Sequence, residues 1–145
     1  MGGKGLEGRV AIVTGASRGI GRAVAASLAE DGASVVVSGR DAARVEIEAK
    51  ELEGLGVPVL GVPGDVARRE DVDRLVDRAR ERFGRIDILV NNAGITRDVL
   101  LVRMKDEDWD HVLDVNLRGA FLMARAVAKV MIRQKGGRII NIAST

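Results

Sequence analysis

The 145-residue chain contains no cysteine, no tyrosine and only one histidine. Without cysteine, disulfide bonds, thiolate nucleophiles and cysteine-ligated metals are excluded, and a single histidine argues against a zinc site. Aromatic residues make up only 2% of the chain, whereas the hydrophobic content of 46% comes mostly from valine, alanine, isoleucine and leucine. This composition favours buried parallel strands that are covered by helices.

A strong excess of one charge is also missing. The 23 Lys and Arg residues nearly balance the 21 Asp and Glu residues, which argues against a nucleic-acid partner. No apolar run is long enough to span a membrane, and the glycine-rich residues 1–7 lack the apolar segment of a signal peptide. We therefore expect a cytoplasmic protein with no membrane partner, a flexible tail at residues 1–7 and one domain over residues 8–145.

Short apolar runs rich in β-branched residues alternate with apolar stripes at helical spacing. The five predicted strands cover residues 10–13, 35–37, 57–62, 86–90 and 139–142. Right-handed crossovers between them predict an α/β fold, a doubly wound parallel sheet of the Rossmann type with the strand order 3-2-1-4-5. Pro58 cannot donate a hydrogen bond to a neighbouring strand, so the third strand is expected at an edge of the sheet.

The last helical region is expected to begin at an Asp106 N-cap and to continue to a stop at Gly136 and Gly137. His111 is predicted to lie on the surface of this helix, away from the glycine-rich loops. Trp109 is predicted to anchor packing and not to stack on a substrate.

One glycine-rich segment joins the first strand to the first helix. It reads Thr14-Gly15-Ala16-Ser17-Arg18-Gly19-Ile20-Gly21. Glycines at this point let the backbone turn tightly and approach a pyrophosphate at the helix N-terminus. A plain connection between strand and helix remains the alternative, but the flanking elements favour a dinucleotide site.

The Gly-x-x-x-Gly-x-Gly spacing of this segment resembles the short-chain dehydrogenase/reductase family. Four further segments match that family in the same order: Gly64-Asp65-Val66, Asn91-Asn92-Ala93-Gly94, Asn116, and Ile142-Ala143-Ser144. Residues 90–98 and 103–106 are especially similar to bacterial 3-oxoacyl-acyl-carrier-protein reductases. The resemblance covers residues 8–145.

The glycine-rich loop, the end of the second strand and the resemblance together indicate a set of cofactor-binding residues: Gly15, Ser17, Arg18, Gly19, Ile20, Gly21, Arg40, Asp65, Val66, Asn92, Ala93 and Gly94. Asp65 would hydrogen-bond the adenine amino group, with a solvated turn aspartate or a helix cap as the alternative. For Asn91, bracing of the sheet is an alternative that does not exclude binding. All of these segments follow strand C-terminal ends, where ligands of open α/β sheets bind.

The end of the second strand bears on the choice of cofactor. Enzymes that use NAD usually present an acid there to the ribose 2′-hydroxyl, but this chain has Ser38-Gly39-Arg40. Arg18 lies opposite in the glycine-rich loop, and two arginines favour a 2′-phosphate and therefore NADP over NAD. Two alternatives stay open. A register shift of one residue would let Asp41 meet the ribose, and, separately, Arg40 could be only a solvated turn residue.

The resemblance implies that Ser144 binds the substrate carbonyl and that Asn116 holds a water in a proton relay through a tyrosine and a lysine. A polar helix position that faces solvent is the alternative for Asn116. The chain has no tyrosine, and nothing after Ser144 could carry the tyrosine and lysine pair. We therefore expect an NADP-binding portion that is truncated after the fifth strand and inactive alone.

Two other interpretations stay open. The chain could be half of an enzyme completed by a separate C-terminal chain, or an excised or engineered folding module without activity. A homo-oligomer is also expected. The resemblance implies a subunit interface in the helical region at 106–134, and the truncation would leave an uncovered edge on the fifth strand that could pair with another copy.

Overall fold

The computed structural model describes residues 5–94 and 101–142, except for the side chain of Leu101. Its strands are β1 (Val10–Thr14), β2 (Ser34–Ser38), β3 (Val59–Gly61), β4 (Ile88–Asn91) and β5 (Arg138–Asn141). They form one sheet in the order β3-β2-β1-β4-β5, and all four neighbouring pairs are parallel. The predicted fold class and strand order are confirmed.

The helices are α1 (Gly19–Glu30), α2 (Ala42–Glu53), α3 (Arg69–Phe83), α4 (Asp106–Leu113) and α5 (Gly119–Gln134). A short 3-10 helix (Leu101–Arg103) precedes α4. A π-helical turn (Asp114–Arg118) joins α4 to α5 without a break in the helical backbone, so the predicted long helical region is present and contains one π-helical turn. Within the described part of the chain, no helix has the length and apolar content that crossing a bilayer requires.

The N-cap of α4 is Lys105, so the predicted Asp106 cap was wrong by one residue. The Lys105 backbone N–H donates to the Asp108 carboxylate at 3.4 Å, which turns the chain into the helix one residue early. Trp109 was also wrongly predicted to anchor packing, since 57% of its surface is exposed. No residue of α4 is buried, because α5 is the helix that packs on the sheet here.

Both faces of the sheet are covered by helices. Ile12 and Val36 point toward α3 and α5, where they pack with residues such as Met123. Val13 and Val35 point the opposite way, toward α1 and α2. Consecutive residues of one strand face opposite sides of a sheet, so the continuous apolar runs seen in the sequence are explained by burial on both faces.

The two edges of the sheet differ. Val35 of β2 donates its backbone N–H to the Pro58 carbonyl at 3.1 Å, and β3 lies at the edge as Pro58 predicted. The other edge is β5, whose four residues are all exposed. Ile139 and Ile140 expose 38% and 48% of their surfaces.

Part of the predicted tail contacts the domain. Residues 5–8 form a turn, and the Leu6 N–H donates to the Asp31 carbonyl at 2.9 Å. The rest of that predicted tail, residues 1–4, lies outside the described residues.

Candidate functional site

A cleft of about 740 Å³ lies at the C-terminal ends of β1, β2, β3 and β4. Such a position is where ligands bind in open α/β sheets. The volume is within the usual range of small-molecule sites. The cleft is lined by nine of the residues predicted to bind a cofactor: Gly15, Ser17, Arg18, Arg40, Asp65, Val66, Asn92, Ala93 and Gly94.

The glycine-rich loop passes very close to the turn after β4. Gly15 has φ +60°, and a Cβ there would lie 2.9 Å from the Ala93 N and Cα atoms. A Cβ on Gly21 would overlap the Gly15 carbonyl oxygen and the Asn92 side chain. These two positions therefore need glycine for backbone approach as well as for the turn itself.

The other predicted residues of this segment start α1 and do not line the cleft with side chains. Gly19 is the first residue of the helix, and Ile20 exposes 62% of its surface. In the part of the chain that the structure describes, the N-cap residue Arg18 makes no side-chain capping hydrogen bond, and the first turn of the helix carries no acidic residue. The backbone N–H groups of the first turn are therefore available to an anion.

Thr14, the last residue of β1, connects the glycine-rich loop to the turn after β4. Its hydroxyl oxygen accepts hydrogen bonds from the backbone N–H groups of Asn92 and Ala93, each at 3.0 Å, and donates to the Val90 carbonyl at 3.4 Å. The Asn92 side chain donates to the Gly15 carbonyl at 3.1 Å. Sequence analysis missed this role for Thr14, although its place directly before Gly15 is the signal that could have shown it.

Backbone hydrogen bonds continue this network across the floor of the cleft. The Ala16 N–H donates to the Ser38 carbonyl at 3.1 Å, which joins the loops after β1 and β2. The Gly64 N–H donates to the Gly39 carbonyl at 2.9 Å, which joins the loops after β2 and β3. The loops that form the cleft are thus held to one another and not only to their strands.

Arg18 and Arg40 are both exposed and both line the cleft. Asp41 also lines it, but its carboxylate is the N-cap of α2 and accepts the backbone N–H groups of Ala43 and Arg44 at 3.1 and 3.2 Å. Arg18 after β1 and Arg40 after β2 therefore each bring a positively charged side chain to the cleft, and the Asp41 carboxylate accepts hydrogen bonds at the start of a helix.

Asp65 forms the turn that was considered as the alternative to adenine binding. One carboxylate oxygen accepts the Ala67 N–H at 2.9 Å, which is the geometry of a turn aspartate. The Asp65 N–H donates to the Asp71 carboxylate at 2.8 Å, so the loop is tied to α3. Asp65 also lines the cleft, so its hydrogen bond within the turn does not remove it from the candidate site.

The two asparagines singled out in the sequence have different positions. Asn91 is buried and donates to the Asn141 side chain at 2.9 Å, so it braces β4 against β5. Asn116 is exposed and lies in the π-helical turn, with its Oδ1 atom 3.2 Å from where a Cβ on Gly94 would be. It thus stands at the end of the turn after β4, and π-helical turns frequently occur at functional positions. Ser144 lies outside the described residues.

His111 lines the cleft together with Val115, so its predicted location away from the glycine-rich loops was wrong. The cause is the packing of the π-helical turn onto the loop after β3. Arg118 donates its Nε–H to the Ala67 carbonyl at 3.4 Å, and a Cβ on Gly119 would lie 2.5 Å from the Val66 side chain. This packing brings the C-terminal half of α4 to the rim of the cleft.

Comparison with known proteins agrees with the fold and with the motifs. A family model described as short chain dehydrogenase matches residues 9–145. The 3-oxoacyl-[acyl-carrier-protein] reductase of Synechocystis sp. is 50% identical over 140 residues, which are 96% of this chain and 57% of the relative. The enzyme of the same name from Thermotoga maritima is 45% identical over 139 residues, which cover 96% of this chain and 56% of the relative.

Among solved structures, a metagenomic short-chain oxidoreductase in complex with NADP superposes with a TM-score of 0.91 at 39% identity. The match covers 97% of this chain and 64% of that one. The chain spans a little over half the length of the two curated relatives described above. On the family match, which extends over nearly the whole sequence, the chain belongs to the short-chain dehydrogenase family.

Proposed function

We propose that this chain is the NADP-binding part of a reductase that acts on 3-oxoacyl thioesters. The names of the two reductase relatives support the substrate class, and the NADP complex of the structural neighbour supports the cofactor. The observation that carries the proposal is that Arg18 and Arg40 both line the cleft, while the Asp41 carboxylate caps α2. Guanidinium groups suit a 2′-phosphate, whereas NAD is usually held by a free acid.

The cleft fits a dinucleotide in several places. The close approach of Gly15 to Ala93 leaves no room for a side chain on Gly15, and the N-terminus of α1, which Arg18 does not cap with its side chain, suits the pyrophosphate. Asp65 and Val66 would hold the adenine, and Asn92, Ala93 and Gly94 would lie along the riboses. When bound, NADPH supplies the hydride for reduction of a ketone.

The proton is the second requirement of ketone reduction. Asn116 is proposed to position a water, and Ser144 is proposed to bind the substrate carbonyl. The chain contains no tyrosine, which is the residue that the family resemblance assigns as proton donor. We therefore propose that these 145 residues bind the cofactor and do not complete the reaction by themselves.

The test of the cofactor proposal is isothermal titration calorimetry with NADP and with NAD under the same salt conditions. We expect NADP to bind at least about tenfold more tightly, because charge-assisted hydrogen bonds to phosphate each contribute about 1.5 to 3 kcal/mol. A second titration compares 2′,5′-ADP with 5′-AMP. These two ligands contain only the adenosine half of the cofactor and differ from each other by the 2′-phosphate. Equal affinities in both pairs would contradict the choice of NADP, and no binding by any of the four would contradict the proposed function.

A further inference from the structure

One wall of the cleft comes from α4 and the π-helical turn after it, and the proposed function assigns no role to the residues of this wall that line the cleft. His111 and Val115 lie on this wall, four residues apart and therefore on the same side of the helical segment. Val66 faces them from the loop after β3. Val66 and Val115 are buried to 8% and 3% exposure, so this end of the cleft has an apolar floor.

A carboxylate lies next to this apolar floor. Asp65 directly precedes Val66 and also lines the cleft, and the hydrogen bond from the Gly64 N–H to the Gly39 carbonyl holds this loop beside the loop that carries Arg40. A carboxylate beside an apolar floor disfavours phosphate and suits a flat, weakly polar group that carries an N–H donor. A purine with an exocyclic amino group has these properties.

We propose that the imidazole ring of His111 packs against the nucleobase of the bound dinucleotide, at the part of the cleft lined by Asp65 and Val66. The proposal rests on the proposed function, since it requires a nucleotide in the cleft. An aromatic ring over an apolar floor gives a base a second face to pack against, while Asp65 accepts from its amino group. His111 is thus a nucleobase-binding residue contributed by α4.

The chain offers a direct spectroscopic test, because His111 is its only histidine. The two carbon-bound ring protons of His111 can be followed by NMR in the unmodified protein and assigned by their loss in His111→Gln. We expect 2′,5′-ADP to shift these signals upfield, with a midpoint that equals its calorimetric Kd. Pyrophosphate, which carries charge but no ring, is expected to leave them in place.

The outcomes separate the two proposals. If calorimetry shows that 2′,5′-ADP binds while the His111 signals stay unmoved, or if pyrophosphate moves them equally, His111 does not contact the base and only this inference fails. If 2′,5′-ADP does not bind at all, the proposed function fails, and this inference fails with it.

Substitution provides an independent measurement. His111→Ala is expected to weaken 2′,5′-ADP binding about three- to tenfold, the usual range for one aromatic packing contact. His111→Phe keeps a planar ring and is expected to retain most of the affinity. Trp109→Ala is the matched control, because Trp109 lies on the same helix but faces solvent. Equal losses in His111→Ala and His111→Phe, or a comparable loss in Trp109→Ala, would overturn the assignment.

Discussion

The Asp87 carboxylate accepts a hydrogen bond from the Val10 backbone N–H at 2.9 Å and so connects the N-terminal end of β4 to the N-terminal end of β1. The Arg85 guanidinium donates to the same carboxylate at 2.7 and 2.8 Å. Asp87 is buried, and it lies at the end of the sheet opposite the cleft. This carboxylate is therefore a stabilising group whose effect can be measured without disturbing the candidate site.

Acid is expected to remove the contribution of Asp87. Burial raises the pKa of Asp87, but the hydrogen bonds from Arg85 and Val10 lower it more, so the folded pKa lies below the ordinary value. The contribution is therefore complete above the unfolded pKa of about 3.9 and is lost as the pH falls through the folded pKa. We expect Asp87→Asn to lower the free energy of unfolding by about 1.5 to 3 kcal/mol at neutral pH, and by less below about pH 4.

Urea denaturation of both proteins over a series of pH values measures this difference. Asp77→Asn is the control, because Asp77 is exposed on α3. It is expected to behave like the unmodified protein throughout. A difference between Asp87→Asn and the unmodified protein that stays constant down to about pH 2.5 would show that the carboxylate does not stabilise the fold through its charge.

Replacing Thr14 with valine is expected to loosen the cleft. The substitution keeps the shape of the side chain but removes the oxygen that accepts the Asn92 and Ala93 N–H groups. We expect a loss of about 1 to 3 kcal/mol in the free energy of unfolding, together with weaker NADP binding. Thr14→Ser keeps the hydroxyl and is expected to preserve the affinity. Equal NADP affinity in Thr14→Val and Thr14→Ser would show that the network does not organise the site.

Arg40 is expected to determine much of the preference for NADP. Arg40→Ala should weaken NADP binding about tenfold or more and leave NAD binding nearly unchanged, because only NADP carries the 2′-phosphate. Arg44→Ala removes the same charge four residues later, at a position that does not line the cleft. Calorimetry of both variants decides the point, and an equal effect of the two substitutions on NADP would mean that Arg40 acts only through the net charge.

The 145-residue chain is expected to reduce no ketone. The measurement is NADPH oxidation in the presence of an acetoacetyl thioester, with a longer relative as the positive control. The physical reason is the lack of a tyrosine to protonate the alkoxide. Any activity that survives Ser144→Ala would be assigned to a contaminant, whereas activity abolished by that substitution would contradict the prediction.

The exposed edge and helix face are expected to promote self-association. β5 pairs only with β4 among the described strands, so one row of its backbone groups is unpaired. On α5, Phe121 exposes 56% of its surface. The Cζ atom of Arg125 lies over the Phe121 ring, 4.9 Å from the ring centroid. We expect light scattering at micromolar concentration to show more than a monomer.

Variants test which surface is involved. Ile140→Lys on β5 and Phe121→Glu on α5 are each expected to shift the population toward monomer. Ile47→Lys is the control, because Ile47 is an equally exposed apolar residue on α2. A monomer in all proteins, or the same shift with the Ile47 variant, would contradict association through the edge or the α5 face.

Much of the fold was predictable because its signals are local. Strand runs, helical stripes and terminal glycines each occupy a short stretch of sequence, and the handedness of crossovers then limits the strand order. Pro58 gave the edge position of β3 for a single reason, the lack of an N–H group. The glycine-rich motif predicted the cleft because close backbone approach requires the absence of side chains, as at Gly15 and Gly21.

The remaining features depended on contacts between distant parts of the chain. The Thr14 hydroxyl binds groups 78 and 79 residues away, and no local pattern marks such a partner. His111 reaches the cleft only because the π-helical turn packs on the loop after β3, and Trp109 is left in solvent because α5 covers the sheet. The sequence by itself determined the elements, their order and the backbone shape of the loop. Tertiary packing decided which side chains face the cleft, since that choice depends on how separate elements meet in space.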